Sequence, residues 1–428
     1  MMEISSAIIQ YIQQHRKDNV RNLALTASGK FSNNELCFIL QQIEGWQKAC
    51  KKLPSWTVID GVLYPPGLSM EQCSSEQTGR YKATLVRRLM NIPQDDKSCF
   101  GSMVDLTGGF GVDFSFLAPL FQHATYVERQ SHLCDVAKHN FALFGLQHAN
   151  IACQDSEEYL EVMSPVSLVF MDPARRDNHG GKTYAIEDCT PDVLMLVSIL
   201  LKKADYVVLK LSPMLDWHKA VEDLNQKANM GISDRKNTVA EVHIISVSNE
   251  CKELLIVLTR RAKEYIHVYG VNDCHVFDYS IPSSYAQTDS TYSSHKSIPV
   301  LSDMTDIVGH ELYEPNASLM KAGCFAELAK RYGVMALSQN TRLFTAINPV
   351  DYFPGRVFKI EAVATFNKKE LKEKLKGITK ANIAVRNFPI KVDDLRKRLK
   401  LKDGGYTYIF ATTIAEKQHV ILICKRKQ

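Results

Sequence analysis

A glycine-rich run between two acidic residues is the first part of the sequence whose residue types and spacing suggest chemistry. It follows a short apolar stretch and reads Asp105-Leu106-Thr107-Gly108-Gly109-Phe110-Gly111-Val112-Asp113. Glycines let the backbone approach a ligand closely, and a helix that starts after them presents unpaired N–H groups. The run therefore predicts a site for a nucleotide-like cofactor. The dinucleotide pattern Gly-x-Gly-x-x-Gly is not met, because Phe114 stands where the third glycine should be, and this disfavours NAD.

Further acidic residues stand at the ends of later strand-like stretches. Glu128 ends the second stretch, where a carboxylate can accept both hydroxyls of a ribose, and Asp155 follows the third, where it can accept an adenine amino group. Taken alone, each of these acidic residues could equally be an ordinary solvated residue at a strand end. Their succession with Asp105 and Asp172 is not expected by chance. The predicted cofactor-binding residues are Asp105, Leu106, Thr107, Gly109, Gly111, Asp113, Glu128, Arg129, Asp155 and Ser156.

The segment Asp172-Pro173-Ala174-Arg175-Arg176 follows the apolar run 167–171, at the predicted carboxyl end of a fourth strand. Ligands bind at this edge of open α/β sheets. We expect Asp172 and Pro173 to form the catalytic part of the site, since a side-chain oxygen can orient a target nitrogen and take up its developing positive charge. Arg175 and Arg176 are expected to contact the substrate, by stacking on a base or by clamping a phosphate.

The elements that must position these residues follow from the hydrophobic pattern. Strand-like stretches at 103–106, 124–127, 151–153, 167–171 and 206–211 alternate with helical segments, which predicts a parallel sheet covered on both faces. Residues 242–247 and 253–258 predict a closing antiparallel pair. The fold class is therefore α/β, with a Rossmann-like sheet. We expect a helical amino-terminal region at 1–75, a cofactor domain at 76–260, a connector with a helical segment at 261–350 and a small basic α+β domain at 355–428.

The connector and the last domain show further patterns. Residues 279–297 are rich in Ser, Thr and Tyr, as expected of a long loop or linker. Beyond residue 355, the pattern predicts strands at 356–366 and 381–386, and a hairpin of 406–414 with 419–424. Asn367 is expected to cap a helix that begins at Lys368, with a second helix at 392–400.

Composition fits a globular chain of at least two domains, because 428 residues exceed the size at which single cores stop growing. The longest apolar run, 193–201, is far shorter than the roughly 20 residues that span a bilayer. The start of the chain lacks the pattern of a secretory signal, so we expect a cytoplasmic protein. None of the 11 cysteines forms a Cys-x-x-Cys pair, which favours reduced cysteines without a metal.

Positive charge is concentrated at the carboxyl end. Residues 355–428 contain 19 Lys and Arg residues against 7 Asp and Glu residues, a local charge of +12, whereas the chain as a whole carries +5. Such an asymmetry indicates a polyanionic partner for this end of the chain. The alternative is a solvated basic face that only aids solubility. Arg396, Lys397 and Arg398 lie in its densest cluster and are predicted to contact the partner.

Between Asp105 and 258 the sequence resembles the class I S-adenosylmethionine-dependent methyltransferases. The glycine run matches their first motif, and Glu128 and Asp155 match their ribose- and adenine-binding acids. Thr107 departs from the usual glycine or cysteine. Asp172–Arg176 resembles their Asn-Pro-Pro-Tyr or Asp-Pro-Pro-Tyr motif, but Arg175 replaces the tyrosine. The resemblance implies S-adenosylmethionine as cofactor and an amine as the methyl acceptor.

With Lys210-Leu211-Ser212-Pro213, Tyr313-Glu314-Pro315-Asn316, Lys321-Ala322-Gly323 and the segment 387–402, the resemblance extends to bacterial methyltransferases that carry a THUMP-like carboxyl-terminal domain. Members of this group mostly lack an assigned substrate. Since THUMP domains bind RNA, the resemblance implies methylation of a base nitrogen in tRNA or rRNA. The absence of a cysteine at the end of the fifth strand favours nitrogen over carbon. A small-molecule or protein methyltransferase, and a non-catalytic RNA-binding protein with this fold, remain alternatives.

Overall fold

The structure is a computed structural model that describes residues 5–27, 29–93, 99–175, 186–229, 237–261, 263–283, 298–301, 307–415 and 418–427. The chain forms two compact units. The first contains Met1–Val242 and Glu253–Ile266, and the second contains His243–Lys252 and His267–Gln428.

The amino-terminal region is helical, as predicted. Its helices are α1 (Ser6–His15), α2 (Val20–Thr26), α3 (Asn33–Lys52), α4 (Pro54–Thr57) and α5 (Gly67–Gln72), and α6 (Glu76–Leu89) begins the predicted cofactor domain. A capping box starts α3: the Ser32 hydroxyl accepts a hydrogen bond from the Glu35 N–H at 3.4 Å, and Glu35 accepts one from the Ser32 N–H at 2.8 Å. The first three helices pack around a core of Ile8, Leu23, Ile39 and Ile43.

The sheet of the first unit has the predicted α/β architecture. Its strands are β1 (Ser102–Asp105), β2 (His123–Val127), β3 (Ala149–Ala152), β4 (Val166–Met171), β7 (Ala204–Leu211), β8 (Val239–Val247) and β9 (Glu250–Thr259), while β5 (Ala174–Arg175) and β6 (Cys189–Thr190) form a separate two-stranded sheet. The order is β3-β2-β1-β4-β7-β9-β8. Strands β3, β2, β1, β4 and β7, which are neighbours in this order, run parallel to one another. Strand β9 runs antiparallel to β7, which confirms the prediction of closing antiparallel strands.

Helices follow most of the parallel strands, as the alternating pattern predicts. They are α7 (Val112–Leu117), α8 (Ser131–Leu143), α9 (Ser156–Val162), α10 (Val193–Lys203) and α11 (Trp217–Ala228), with short 3-10 turns at Ala118–Leu120 and Ile186–Asp188. The central strands are buried along almost their whole length, because helices that follow parallel strands cover both faces of the sheet. The polar side chains of the site therefore lie at or beyond the strand ends.

The remaining strands are β10 (Tyr265–Asn272), β11 (His275–Pro282), β12 (Glu311–Pro315), β13 (Met335–Ala336), β14 (Phe344–Thr345), β15 (Gly355–Thr365), β16 (Asn382–Val385), β17 (Thr407–Ile414) and β18 (Gln418–Arg426). The helices after Pro315 are α12 (Ala317–Ala322), α13 (Phe325–Tyr332), α14 (Lys368–Lys374) and α15 (Val392–Leu399). Seven strands form one sheet in the order β13-β14-β12-β15-β18-β17-β16.

The carboxyl-terminal prediction is confirmed in its elements. Asn367 caps α14 by accepting a hydrogen bond from the Lys369 N–H at 2.8 Å. The structure differs from the predicted connector in two ways. Residues 279–282 belong to β11 rather than to a loop, and 284–297 lie outside the described residues. In addition, β12, β13 and β14 join the carboxyl-terminal sheet; with five, two and two residues they are too short to leave a clear alternating pattern.

Candidate active site

The glycine turn between β1 and α7 is closely packed on one side and open on the other. Gly109 and Gly111 adopt the left-handed region, with φ of 51° and 75°. A Cβ added at Gly108 would lie 2.2 Å from the Tyr126 ring, and one added at Gly111 would lie 2.8 Å from the Phe141 ring. A Cβ at Gly109 would meet nothing closer than 3.7 Å among the described residues. The backbone at Gly109 is therefore the side of the turn that a ligand can approach.

Glu128, directly after β2, holds this turn in place. One carboxylate oxygen accepts a hydrogen bond from the Gly109 N–H at 3.1 Å, and the other accepts one from the Gln130 N–H at 2.9 Å. The Tyr126 hydroxyl donates to the Gly109 carbonyl. An ionised carboxylate has about four lone-pair positions, so Glu128 can still accept two ligand hydroxyls. Arg129, next in the chain, is exposed.

Asp155 follows β3 and caps α9. Its side chain accepts a hydrogen bond from the Glu157 N–H at 2.8 Å, and both Asp155 and Ser156 are half-buried. The capping contact uses one carboxylate oxygen and leaves the second oxygen available to a ligand.

Asp105, at the end of β1, is buried in a cluster of acidic residues. Its carboxylate accepts a hydrogen bond from the Thr107 N–H at 3.0 Å. Burial, with the nearby Asp113 and Asp172 carboxylates adding to it, raises the pKa of Asp105 to about 8. The Thr107 hydroxyl accepts a hydrogen bond from the Asp172 N–H at 2.6 Å. The residue that departs from the family pattern therefore connects the glycine turn to the end of β4.

A buried lysine holds the Asp172 side chain. Nζ of Lys210, near the end of β7, lies 2.5 Å from Oδ2 of Asp172 and 3.4 Å from Oδ2 of Asp113. Burial raises the pKa of Asp172, and the Lys210 charge opposes this shift. Burial disfavours the charge on Lys210, but Asp172 and Asp113 outweigh it and raise the pKa of Lys210. Pro173, the second predicted catalytic residue, is buried beside this pair.

Further charged groups continue this pair into the core. Nζ of Lys82, on α6, lies 2.9 Å from Oδ1 of Asp113 and 2.5 Å from Oε2 of Glu253, on β9. The Ser74 hydroxyl lies 2.8 Å from Asp113 and 3.0 Å from Glu253. Burial opposes the ionisation of Asp113, but Lys82 and Lys210 outweigh it and hold its pKa at about 2. These side chains together form the buried charge cluster, which consists of Ser74, Lys82, Asp113, Asp172, Lys210 and Glu253.

The buried charge cluster contains the site residues that the sequence analysis missed. The sequence patterns assign no role to Lys210, Lys82 or Glu253. A usable signal existed for Lys210: it is a charged residue in the otherwise apolar end of a central strand. Asp113 was predicted to contact a cofactor, and the structure brings its carboxylate to Lys82 and Lys210. Its contact with a cofactor stays a prediction.

The predicted substrate-contacting residues fall into two groups. In the first unit, Arg175 lies on β5 opposite Cys189, and Arg176 lies outside the described residues. In the second unit, Arg396 donates to the Ala381 carbonyl at 3.1 Å and forms an ion pair with Asp403 at 2.7 Å, so it stabilises the fold locally. The other two members of that cluster are exposed on α15: Lys397 and Arg398.

Comparison with known proteins agrees with this architecture. Residues 355–426 match the THUMP domain-like family, and residues 312–354 match a family described as a ferredoxin-like domain. A crystal structure from Porphyromonas gingivalis W83, described as a "putative methyltransferase", is 28% identical with a TM-score of 0.79, covering 99% of this chain and 98% of that one. The chain has a class I methyltransferase fold and a THUMP-like domain. This similarity extends over nearly the whole length of both chains.

Other solved structures resemble this chain less closely. A Listeria monocytogenes protein described as a "putative class I S-adenosylmethionine-dependent methyltransferase" is 13% identical with a TM-score of 0.36, covering 60% of this chain and 89% of that one. A Pyrococcus horikoshii protein described as a "putative RNA methyltransferase" is 14% identical with a TM-score of 0.34, covering 48% and 92%. No curated protein matches this chain.

In the described part of the chain, no group of three or more His, Cys, Asp or Glu residues is arranged to hold a metal ion. Within the same ranges, no helix is both long and apolar enough to cross a membrane.

Proposed function

We propose that the protein uses S-adenosylmethionine to methylate a nitrogen of an RNA base. The observation that carries this proposal is the position of Asp172 after β4, with its N–H bound to Thr107 in the glycine turn and its carboxylate bound to Lys210. These two contacts fix the backbone and the side chain of Asp172 at the ligand-binding edge of the sheet. A carboxylate held in this way can orient a reacting group.

The residues around the glycine turn fit the proposed cofactor. The open backbone at Gly109 leaves room for a close approach, Glu128 keeps acceptor positions for ribose hydroxyls, and Asp155 has an oxygen free for an adenine amino group. The Asp172 carboxylate adds a negative charge, which suits a cationic ligand, whereas Asp105, with its raised pKa, is largely protonated near neutral pH. When bound, the cofactor supplies an electrophilic methyl group on a positively charged sulfur.

Asp172 has a limited task in this proposal. Its free oxygen accepts a hydrogen bond from the target N–H, which directs the nitrogen lone pair at the methyl carbon. The Asp172 carboxylate, or a water molecule beside it, would take up the proton that the nitrogen loses when it is methylated. A negative carboxylate next to a nitrogen that gains positive charge stabilises the transition state. Lys210 keeps Asp172 oriented and ionised.

The RNA part of the proposal depends on the second unit. Its residues 355–426 match the THUMP domain-like family, and residues 355–428 carry a local charge of +12. Polyanions bind such surfaces through phosphate contacts. The small-molecule, protein and non-catalytic alternatives lack an observation of this kind and are outcomes of the test.

The test is nucleoside mass spectrometry of total RNA from cells that contain the protein, lack it, or carry Asp172→Ala in its place. We expect one methylated nucleoside to disappear in both of the last two strains and to return when purified protein and S-adenosylmethionine are added to the RNA. An unchanged nucleoside profile together with cofactor binding in calorimetry would contradict the RNA substrate alone. Failure to bind S-adenosylmethionine would contradict the enzymatic proposal itself.

A further inference from the structure

A pocket in the second unit is lined by conspicuous basic residues that the proposed methyl transfer does not use. Its volume is about 390 Å³, and its lining consists of Asn249, Glu314, Pro315, Ala317, Met320, Lys321, Arg356 and Arg386. Part of it comes from the sequence motif Tyr313–Asn316, to which the proposed reaction gives no role. All of the lining residues belong to the second unit.

Glu314 organises the arginines of this pocket. It lies on β12 opposite Arg356 of β15, and only 3% of its side chain is exposed. One oxygen accepts hydrogen bonds from Nε and Nη2 of Arg356, at 2.8 and 2.5 Å, and the other accepts one from Nη2 of Arg386 at 2.9 Å. A single buried carboxylate thus fixes the planes of two guanidinium groups that are each about 35% exposed.

Positive charges outnumber negative ones among the described lining residues. Arg356 and Arg386 share Glu314 as an ion-pair partner, and Lys321 adds a third positive charge. A partly enclosed site with excess positive charge favours an anion with several acceptor oxygens, and planar guanidinium groups match the geometry of phosphate.

The rest of the lining indicates what the phosphate is attached to. Pro315, Ala317 and Met320 form an apolar wall, and the volume exceeds what a lone phosphate fills. We propose that this pocket binds the phosphate of a nucleotide, with the sugar or base against the apolar wall. The nucleotide is either part of an RNA strand or a free mononucleotide, and both sources share this chemistry. The proposal does not depend on methyl transfer or on the cofactor.

The test measures binding of cytidine 5′-monophosphate to the full-length protein by calorimetry, with cytidine as the ligand that lacks the phosphate. A pyrimidine is chosen, and S-adenosylhomocysteine is present in excess, so that the probe does not bind at the proposed adenine site. We expect saturable binding of one nucleotide per chain, and at least about a hundredfold weaker binding of cytidine, because it loses the charged contacts to the lysine and both arginines. Equal affinity for both ligands, or no saturable binding, would overturn the proposal.

Two variants locate the binding. Lys321→Gln should weaken the binding of cytidine monophosphate by roughly tenfold. The matched control is Lys330→Gln, which replaces an exposed lysine on α13 and should leave the affinity unchanged. Met320→Glu adds a negative charge to the apolar wall without altering Glu314 or its arginines, and it should abolish binding even if Lys321→Gln is poorly folded. Thermal melting checks that each variant is folded. If folded Met320→Glu binds as tightly as the parent, the pocket is not the site.

A competition arm separates the two sources. A short oligocytidylate that displaces labelled cytidine monophosphate from the parent, but does not bind Met320→Glu at the same place, supports a strand of RNA in the pocket. Displacement by mononucleotides alone supports a free nucleotide. Unchanged binding of S-adenosylmethionine to Met320→Glu separates this result from any failure of the proposed methyltransferase function.

Discussion

The ammonium group of Lys210 lies 2.5 Å from a carboxylate oxygen of Asp172, at the ends of two neighbouring parallel strands. The two side chains differ in exposure: Lys210 is 10% exposed, and Asp172 is 41% exposed. The cation is therefore in the protein interior and the anion is at the rim. This arrangement leaves the Asp172 carboxylate accessible to a ligand, while Lys210 on its buried side fixes its orientation and stabilises its charge.

The first prediction concerns Lys210. Lys210→Gln should lower single-turnover methyl transfer by roughly a hundredfold, because a small misplacement of an orienting group has effects of that size. Since Lys210 opposes the burial that raises the pKa of Asp172, its removal should raise this pKa further and move the acidic limb of the pH–rate profile to higher pH. Lys210→Arg should restore part of the rate. Lys219→Gln, an exposed lysine on α11, is the control; a pH profile that is the same in Lys210→Gln and this control would contradict the positioning role.

The second prediction concerns Asp172 itself. Asp172→Ala should reduce methyl transfer by about two orders of magnitude or more, the usual loss when one polar contact to a developing charge is removed, and should leave most cofactor affinity intact. Asp172→Asn should be milder if orientation is the main role, because an acceptor oxygen remains, and as severe as alanine if charge is required. Asp135→Asn on α8, an exposed aspartate, is the matched control. Parent rates in the alanine variant would mean that the reacting group lies elsewhere.

The third prediction concerns Glu128. Glu128→Ala should weaken S-adenosylmethionine binding by about 1.5 to 3 kcal/mol, since a charged acceptor is lost together with the contact that holds the Gly109 N–H. Calorimetry of the parent and the variant measures the difference, and Glu161→Ala, an exposed glutamate on α9, serves as the control. Unchanged affinity in Glu128→Ala would remove this residue from the cofactor site.

The fourth prediction concerns stability and pH. The pKa of Asp105 is raised from an ordinary value of 3.8 to about 8, so between these values the folded state keeps a proton that the unfolded state has lost. Rising pH through this window therefore favours unfolding, and the penalty is complete above pH 8. Asp105→Asn has no such penalty and keeps an acceptor for the Thr107 N–H, so its melting temperature should exceed that of the parent by more at pH 8.5 than at pH 5. A pH-independent difference would contradict this.

The fifth prediction concerns RNA affinity. Replacing the exposed Lys397, Lys400 and Lys402 by Gln should weaken tRNA binding and lower the dependence of log K on log salt by about 2 to 3, because each phosphate contact contributes roughly 0.7 to 0.9 to that slope. The control replaces three exposed lysines of the first unit, Lys17, Lys51 and Lys138. Equal salt slopes in the two triple variants would refute a specific role for this cluster.

Surface substitutions are preferable to a deletion for this purpose. Removing residues 355–428 would strip β15, which pairs with β12 through residues 355–359. The deleted protein would carry an unpaired strand edge, and such edges promote aggregation.

Much of the fold was predictable from the sequence because it depends on strong local patterns. The parallel strands are continuous apolar runs, and the glycine turn carries residues whose positive φ values only glycine adopts readily. The sequence likewise predicts that Asn367 caps α14, because its side chain can accept a hydrogen bond from the first turn of a helix. The strands β12 to β14 were missed, because elements of two to five residues have no measurable period and are stabilised by pairing with distant strands.

The acidic residues at the strand ends were predictable from the sequence, but the lysines that hold them and Glu253 were not. Asp105, Glu128, Asp155 and Asp172 stand at strand ends, a position that sequence patterns reveal. Lys82 and Glu253 lie on elements about 170 residues apart in the chain, and only the tertiary structure brings them together. A buried lysine is recognised by what surrounds it, and that information is absent from the local sequence.

The buried charge cluster also limits how this sequence can evolve. Lys82, Asp113, Lys210 and their partners satisfy one another with little access to water, so changing one of them leaves an uncompensated charge in the core. Loss of Lys82 alone should be poorly tolerated, whereas Lys82→Met combined with Glu253→Leu removes both signs together and should recover much of the stability. Divergent versions of this protein are thus expected to keep these positions as a set or to exchange them in pairs of opposite charge. Such epistasis would couple α6 to residues at the edge of the candidate active site.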